Sequence, residues 1–305
     1  MSLTLQGVLG PVVTNFDPSD GLDRTAFAEN IRAHLDAGLR GVVVCGSTGE
    51  AALLDEAERA SLVEVARYAV PNDRWLIAGS GAESTRTTQR YTRLAAERGA
   101  DAVLVVAPHY YGSKTALRDH YTAVADESPV PVVLYNIPKY MHFSLAPQLV
   151  AELAQHENII GIKDAGENLQ GTAKIIEESA PGFRVWSGND SDTLAILAVG
   201  GYGIVSVASH LIGRQIQAMI QCYLDGRATE AAEIHRRTLP LVQALFVTTN
   251  PIPLKYALNR AGFAVGSPRL PLVEPDAKSA ALIDAALDRA TIDLPVPVGA
   301  GAVLG

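Results

Sequence analysis

Cysteine is scarce: Cys45 and Cys222 are the only two in 305 residues, and nothing in their spacing suits a metal or a redox pair. That excludes a disulfide framework and fits a reducing compartment. Basic runs are missing too. The 25 lysines and arginines are scattered among 33 aspartates and glutamates, for a formal net charge of −8. Such a chain has no electrostatic footprint for nucleic acid. No apolar run approaches the roughly 18–20 residues of a membrane helix, and no secretory leader is read at the start, so a soluble cytoplasmic protein is expected. The seven histidines (34, 109, 120, 142, 156, 210 and 235) form no His-x-His or His-Glu-x-x-His arrangement, so no metal is expected. The stretch Gly79-Ser80-Gly81-Ala82-Glu83-Ser84 follows the third apolar run rather than the first and lacks a third glycine. It reads as a tight turn rather than a dinucleotide loop, and no cofactor is expected.

What the chain does have is rhythm. Eight short apolar runs, Val8–Thr14, Gly41–Cys45, Trp75–Gly79, Ala102–Val106, Val130–Tyr135, Ile159–Lys163, Arg184–Ser187 and Gly203–Val207, alternate with amphipathic stretches such as Thr25–Ala37, Glu56–Val70, Ser84–Arg98 and Leu145–His156. Val42-Val43-Val44 and Val103-Leu104-Val105-Val106 are apolar on both faces, as strands of a helix-covered parallel sheet are. Asp23 is placed to cap the first helix and Gly38 to end it. Eight such units predict an α/β fold, a (β/α)8 TIM barrel over residues 1–225. A doubly wound open sheet is the competing architecture, with fewer strands and a nucleotide-binding turn. Helical patterns at Ala228–Val247, Ile252–Ala261 and Asp276–Ala290 predict a C-terminal helical extension over 226–305, whose Pro/Gly/Ala/Val-rich tail from Pro295 is expected to be poorly ordered unless it docks.

Chemistry in such a barrel belongs at the C-terminal ends of the strands. Polar residues there are Gly46-Ser47-Thr48-Gly49-Glu50, Pro108-His109-Tyr110-Tyr111, Tyr135-Asn136-Ile137-Pro138, Lys163-Asp164 and Ser187-Gly188-Asn189-Asp190. Taken alone, a strand-end lysine usually reaches into water. Lys163 follows Ile159-Ile160-Gly161-Ile162, apolar on both faces, and so emerges at the barrel mouth. Partial desolvation there favours the free amine, which can attack a ketone. Tyr135 is either a core aromatic or a phenol able to move protons during carbon–carbon bond cleavage. The Gly46–Glu50 segment is either a plain turn or an anion site, with Gly46 and Gly49 baring backbone N–H groups and two hydroxyls beside them.

Three of these segments, Gly46-Ser47-Thr48-Gly49-Glu50, Tyr135-Asn136-Ile137-Pro138 and Gly161-Ile162-Lys163-Asp164, resemble in order and spacing the hallmarks of the dihydrodipicolinate synthase / N-acetylneuraminate lyase family, the resemblance covering roughly residues 5–290. It implies a TIM barrel with a helical extension, assembled as a homotetramer (a dimer of dimers), and a small-molecule 2-oxo acid substrate. It implies Lys163 as Schiff-base lysine, Tyr135 as acid/base phenol, Ser47 and Thr48 as carboxylate binders and Ser47 as part of a hydroxyl relay. Tyr110 matches the relay tyrosine that reaches into a neighbouring subunit, Tyr111 being the one-residue alternative. Gly188 and Val205 match pocket-lining positions.

The electrophile side departs from the best-known members. Tyr140, in Pro138-Lys139-Tyr140-Met141-His142, stands where the synthases carry a carboxylate-binding arginine, and Lys139 offers only a point charge. Ser191 stands where the sialic acid lyases carry a sugar-binding glutamate. Tyr140, His142, Asn189 and Ser191 are expected to face the electrophile. The primary expectation is a metal-independent class I aldolase or lyase acting on pyruvate or a 2-keto-3-deoxy sugar acid. A dehydratase of such an acid, or a synthase condensing pyruvate with aspartate semialdehyde, keeps the imine and changes the outcome. A barrel that binds 2-oxo acids without turnover is the reading from another class.

Overall fold

The computed structural model describes residues 6–109 and 113–294. Eight parallel strands, β1 (Gly7–Pro11), β2 (Gly41–Val44), β3 (Trp75–Gly79), β4 (Ala102–Val106), β5 (Val132–Asn136), β6 (Ile159–Asp164), β7 (Arg184–Ser187) and β8 (Gly203–Val205), close into a barrel in chain order, with Leu9 of β1 opposite Val205 of β8. The expected (β/α)8 fold is the observed one. Helices α1 (Arg24–Asp36), α2 (Glu56–Ala69), α3 (Thr85–Glu97), α4 (Lys114–Glu127), α5 (Pro138–Met141), α6 (Pro147–Leu153), α7 (Leu169–Glu178), α8 (Thr193–Ala198) and α9 (Ser209–Leu224) run between and after the strands. Helices α10 (Ala228–Ala244), α11 (Ile252–Arg260) and α12 (Ala277–Leu287) follow. Among the described residues no helix is long and apolar enough to cross a membrane.

Helix starts are fixed by their caps. Asp23 accepts from Ala26 N at 3.0 Å, and Asp55 and Glu58 form a reciprocal capping box at the start of α2. Each such cap is worth about 1 kcal/mol and holds the end of the loop before it.

Alternation along the strands makes two apolar layers. Leu9, Val43, Ile77, Leu104, Val133, Tyr135, Trp186 and Val205 fill the barrel interior. Val42, Val44, Val103, Val105, Val132, Leu134 and Ile162 face the helices. A third cluster joins Val8, Leu39, Ile204 and Leu211 to Leu241, Leu254, Leu258 and Ile283, so the C-terminal helices share a core with β1, β8 and α9. Three strands stop short of their apolar runs: β1 at Pro11 rather than Thr14, β2 at Val44 rather than Cys45, and β8 at Val205 rather than Val207. The amides of Val207 and Ala208 donate to the Asp190 carboxylate instead of to a ladder partner, at 3.0 and 3.3 Å.

Candidate active site

Parity places the lysine. On β6, Gly161 and Lys163 point into the barrel while Ile162 and Asp164 point out to the helices. Outward-facing Asp164 accepts from Asn136 Nδ2 at 2.8 Å and from Thr172 Oγ1 of α7 at 2.7 Å, and so rivets β5, β6 and α7 together. A Cβ on Gly161 would lie 2.6 Å from the Trp186 ring and 2.3 Å from the Arg184 carbonyl oxygen. The glycine therefore lets Trp186, 1% exposed, close the barrel alongside the lysine.

Lys163 pairs with Tyr135 on one side and Trp186 on the other. Its Nζ lies 4.2 Å from the centroid of the Tyr135 ring. The lysine is 5% exposed, and among the described residues no carboxylate oxygen lies within 4.0 Å of its amine. Burial pulls its pKa down to about 8, against an opposing pull from the charge of Asp190. Burial without a contact ion pair favours the neutral form of the amine, the form able to act as a nucleophile. Burial raises the Tyr135 phenol above its ordinary range, and a hydrogen bond with Ser47 partly offsets this. The phenol therefore rests protonated, able to donate and be refilled through Ser47.

Ser47 and Thr48 come from the turn after β2. Cys45 and Glu50, at φ 51° and 57°, bracket it in left-handed backbone, a conformation costing a non-glycine residue about 1 kcal/mol or more. Tertiary bonds hold the turn. Gly49 O accepts from Thr14 Oγ1 at 2.6 Å, and the Glu50 carboxylate pairs with the Lys255 ammonium at 2.5 Å and accepts from Arg269 N at 2.8 Å. Thr48 Oγ1 accepts from Asn250 Nδ2 at 2.9 Å.

The remaining sequence-derived positions spread outward. Tyr140, on α5, is half-buried, hydrogen-bonded to the Asn250 backbone and close enough to Tyr135 for the phenols to interact. Gly188, whose Cβ would lie 2.7 Å from that of Ala165, lets the turn after β7 approach β6, and its N–H donates to Asp164 O at 2.7 Å. Val205, 3% exposed, lies at the end of β8. Asn189 donates to Asp192 Oδ2 at 3.0 Å. His142 is exposed, in left-handed backbone at φ 60° after α5. Ser191 is exposed and borders a cleft of about 400 Å3 with Asp164, Glu167, Asn168 and Asp192. Tyr110 and Tyr111 lie outside the described residues. The preceding His109 is held by Glu83, at 2.6 Å from Nδ1 and 2.9 Å from N. Two contributors had no local signal in the sequence, Asn250 and Lys255 from the C-terminal part; Asp190 stood in the polar end of the seventh run but without an assigned role. Among the described residues no three His, Cys, Asp or Glu side chains are grouped to hold a metal.

Thus Lys163, Tyr135 and Ser47 meet at one mouth with Thr48 and Tyr140 beside them, and the arrangement is suited to imine chemistry on a small carbonyl compound. Comparisons with known proteins bear on the same point. A family model described as the dihydrodipicolinate synthetase family matches residues 4–290. A 4-hydroxy-tetrahydrodipicolinate synthase of Dehalococcoides mccartyi is 43% identical over 286 residues, 93% of this chain and 96% of that protein. The structure of a dihydrodipicolinate synthase from Bacillus anthracis superposes with TM-score 0.91 at 34% identity, over 94% of this chain and 98% of that one. That of the Acinetobacter baumannii enzyme, complexed with pyruvate, gives 0.91 at 28% identity, over 94% and 99%.

Proposed function

The chain belongs to the dihydrodipicolinate synthetase family, and from that membership we propose a class I aldolase that joins or splits pyruvate through a Schiff base on Lys163. The observation that carries this is a buried lysine with no contact counterion among the described residues, beside a phenol tied to Ser47. Neutral Nζ adds to C2 of pyruvate, and transfer of a proton to the former carbonyl oxygen gives the carbinolamine. A second proton, passed through Tyr135, releases that oxygen as water and leaves the protonated imine. Loss of a proton from C3 gives the enamine, whose C3 attacks an aldehyde carbon; cleavage runs the same steps backwards. Hydrolysis of the imine frees product and lysine. Ser47 and Thr48 hold the carboxylate of the 2-oxo acid, with Gly46 baring its backbone N–H and Gly188 and Val205 lining the pocket. Tyr110 extends the relay. Because attack needs the neutral amine, kcat/KM rises with pH through about 8. Borohydride reduction in the presence of pyruvate is expected to leave a stable adduct on Lys163, read by peptide mass spectrometry; an unmodified Lys163 refutes the assignment.

For the electrophile, a neutral hydroxyaldehyde, released from or joined into a 2-keto-3-deoxy sugar acid, is the better reading. Tyr140, a neutral phenol bonded to the Asn250 backbone, stands beside Tyr135 where a carboxylate would call for a guanidinium. His142 and Asn189 complete that side, whereas Ser191 borders the outer cleft. The second reading, condensation with aspartate semialdehyde, is favoured by the printed name of the Dehalococcoides relative. Pyruvate release from a panel of keto-deoxy sugar acids, against consumption of aspartate semialdehyde, separates the two. Assembly as a homotetramer is supported by Leu270 and Val273, apolar yet 76% and 58% exposed. Light scattering on the native protein tests it, and a monomer mass refutes it.

A further inference from the structure

Asp190 is 5% exposed and plays no part in the steps above. It lies three residues beyond the end of β7, the strand next to β6. Its Oδ1 is hydrogen-bonded to the Ser206 hydroxyl, and its Oδ2 accepts from Val207 N at 3.0 Å and Ala208 N at 3.3 Å. Ser206 Oγ in turn accepts from Ser209 N at 2.8 Å, which leaves its own proton for Asp190. Its carboxylate is held at the end of β8 by three donors, which favour the charged form against the burial that raises its pKa. Among the described residues, the titratable groups that act on Lys163 are Tyr135, whose ring its amine meets from β5, and the charge of Asp190, in the turn that follows Trp186, the Lys163 partner on β7. Asp164, the next residue on β6, turns away to Thr172.

We propose that Asp190 is a positioning residue that supplies the countercharge for the cation formed on Lys163. It acts across the mouth without touching the amine. A contact ion pair would hold the lysine protonated and unreactive. A fixed negative charge beyond contact distance leaves the amine free to attack, yet stabilises the iminium once it forms, and the iminium is the electron sink that releases the C3 proton. Burial holds the Asp190 carboxyl above its ordinary range, and its three donors and the Lys163 charge only partly offset this, Lys163 being the one charge that favours the ionised form. The inference rests on Lys163 being the imine former.

The test is a graded series in the full-length enzyme, reading pyruvate turnover and the pH dependence of borohydride trapping. Asp190→Asn removes the charge. The amine then loses its proton more easily, so the acid limb of the profile moves down by about one pH unit, while kcat falls about tenfold because the iminium is less stable. Ser206→Ala removes one donor and shifts the limb less, in the same direction. Thr193→Val removes a hydroxyl that bonds only the backbone carbonyls of Asn189 and Asp190, and leaves the limb in place. Equal rate losses in all three with an unmoved limb reduce Asp190 to a structural brace and overturn the proposal. Should Asp190→Asn not fold, Ser206→Ala decides alone, an unmoved limb overturning it. Wild-type enzyme that traps no pyruvate fails the Lys163 reading instead, so the two failures are distinguishable.

Discussion

Two lysines are buried in this protein, and their surroundings differ in one respect that decides what each can do. Lys255, fully buried, has its Nζ 2.5 Å from Glu50 Oε1, 3.1 Å from the Ser267 carbonyl oxygen and 4.4 Å from the centroid of the Phe16 ring. Lys163 has the Tyr135 ring at 4.2 Å and a negative charge only at a distance. Desolvation lowers the pKa of both, but Glu50 opposes this at Lys255 by direct contact. A contact partner makes a buried amine into a joint; withholding it leaves a nucleophile. The joint also serves the nucleophile, because Glu50 ends the turn that presents Ser47 and Thr48.

The largest way to test the contrast is Lys163→Met. Turnover should fall at least about a thousandfold, since without an amine no imine forms. The melting temperature should hold or rise, because a buried polar group is replaced by an apolar one. Steady-state assay with thermal unfolding checks both, and a lower melting temperature with residual imine trapping would break the comparison. Lys255→Met should do the reverse. It strands the Glu50 carboxylate, at a cost of roughly 3–5 kcal/mol and a melting temperature lower by roughly 6–10 °C. Pairing it with Glu50→Gln should recover much of that loss, because removing both charges is far cheaper than removing one.

Only one of these lysines was legible in the sequence. Strand runs apolar on both faces foretold the parallel barrel, and the positions of Lys163 and Tyr135 at the ends of such runs placed them at its mouth; the structure adds the period-two alternation that turns both inward. Loops carry no such period: Ser191, expected from the family resemblance to face the substrate, is exposed beside the outer cleft, while its neighbour Asp190 is buried. Lys255 and Asn250 had no local signal at all. Asn250 meets Thr48 across 202 positions of sequence, and only the packing of the C-terminal helices against the barrel creates that meeting.

Tyr135→Phe is the next step down. It keeps the ring that packs against Lys163 and removes the proton carrier, so turnover should fall about a hundredfold while the fold stays intact. The split matters more than the size. Pyruvate should still be trapped on Lys163 over a long incubation, only more slowly, which a rapid-quench borohydride experiment resolves. Equal trapping rates in the two proteins would remove Tyr135 from the relay.

Asn250→Ala should have the smallest effect and the most selective one. Its amide holds Thr48 Oγ1 at 2.9 Å, and its backbone holds the Tyr140 phenol. Alanine keeps the backbone bond and loses the side-chain one, so Tyr140 stays while Thr48 is freed. A single neutral hydrogen bond of this kind is worth about 1 kcal/mol, or roughly fivefold. The loss should appear in KM for the 2-oxo acid, with kcat and the pH limb near 8 unchanged. If kcat falls instead, Asn250 acts on the reacting carbon, and the division between a chemical barrel and a bracing C-terminal part has to be redrawn. If neither constant moves, Thr48 is placed without Asn250, by the contacts of Thr14, Lys255 and Arg269 with the rest of the turn.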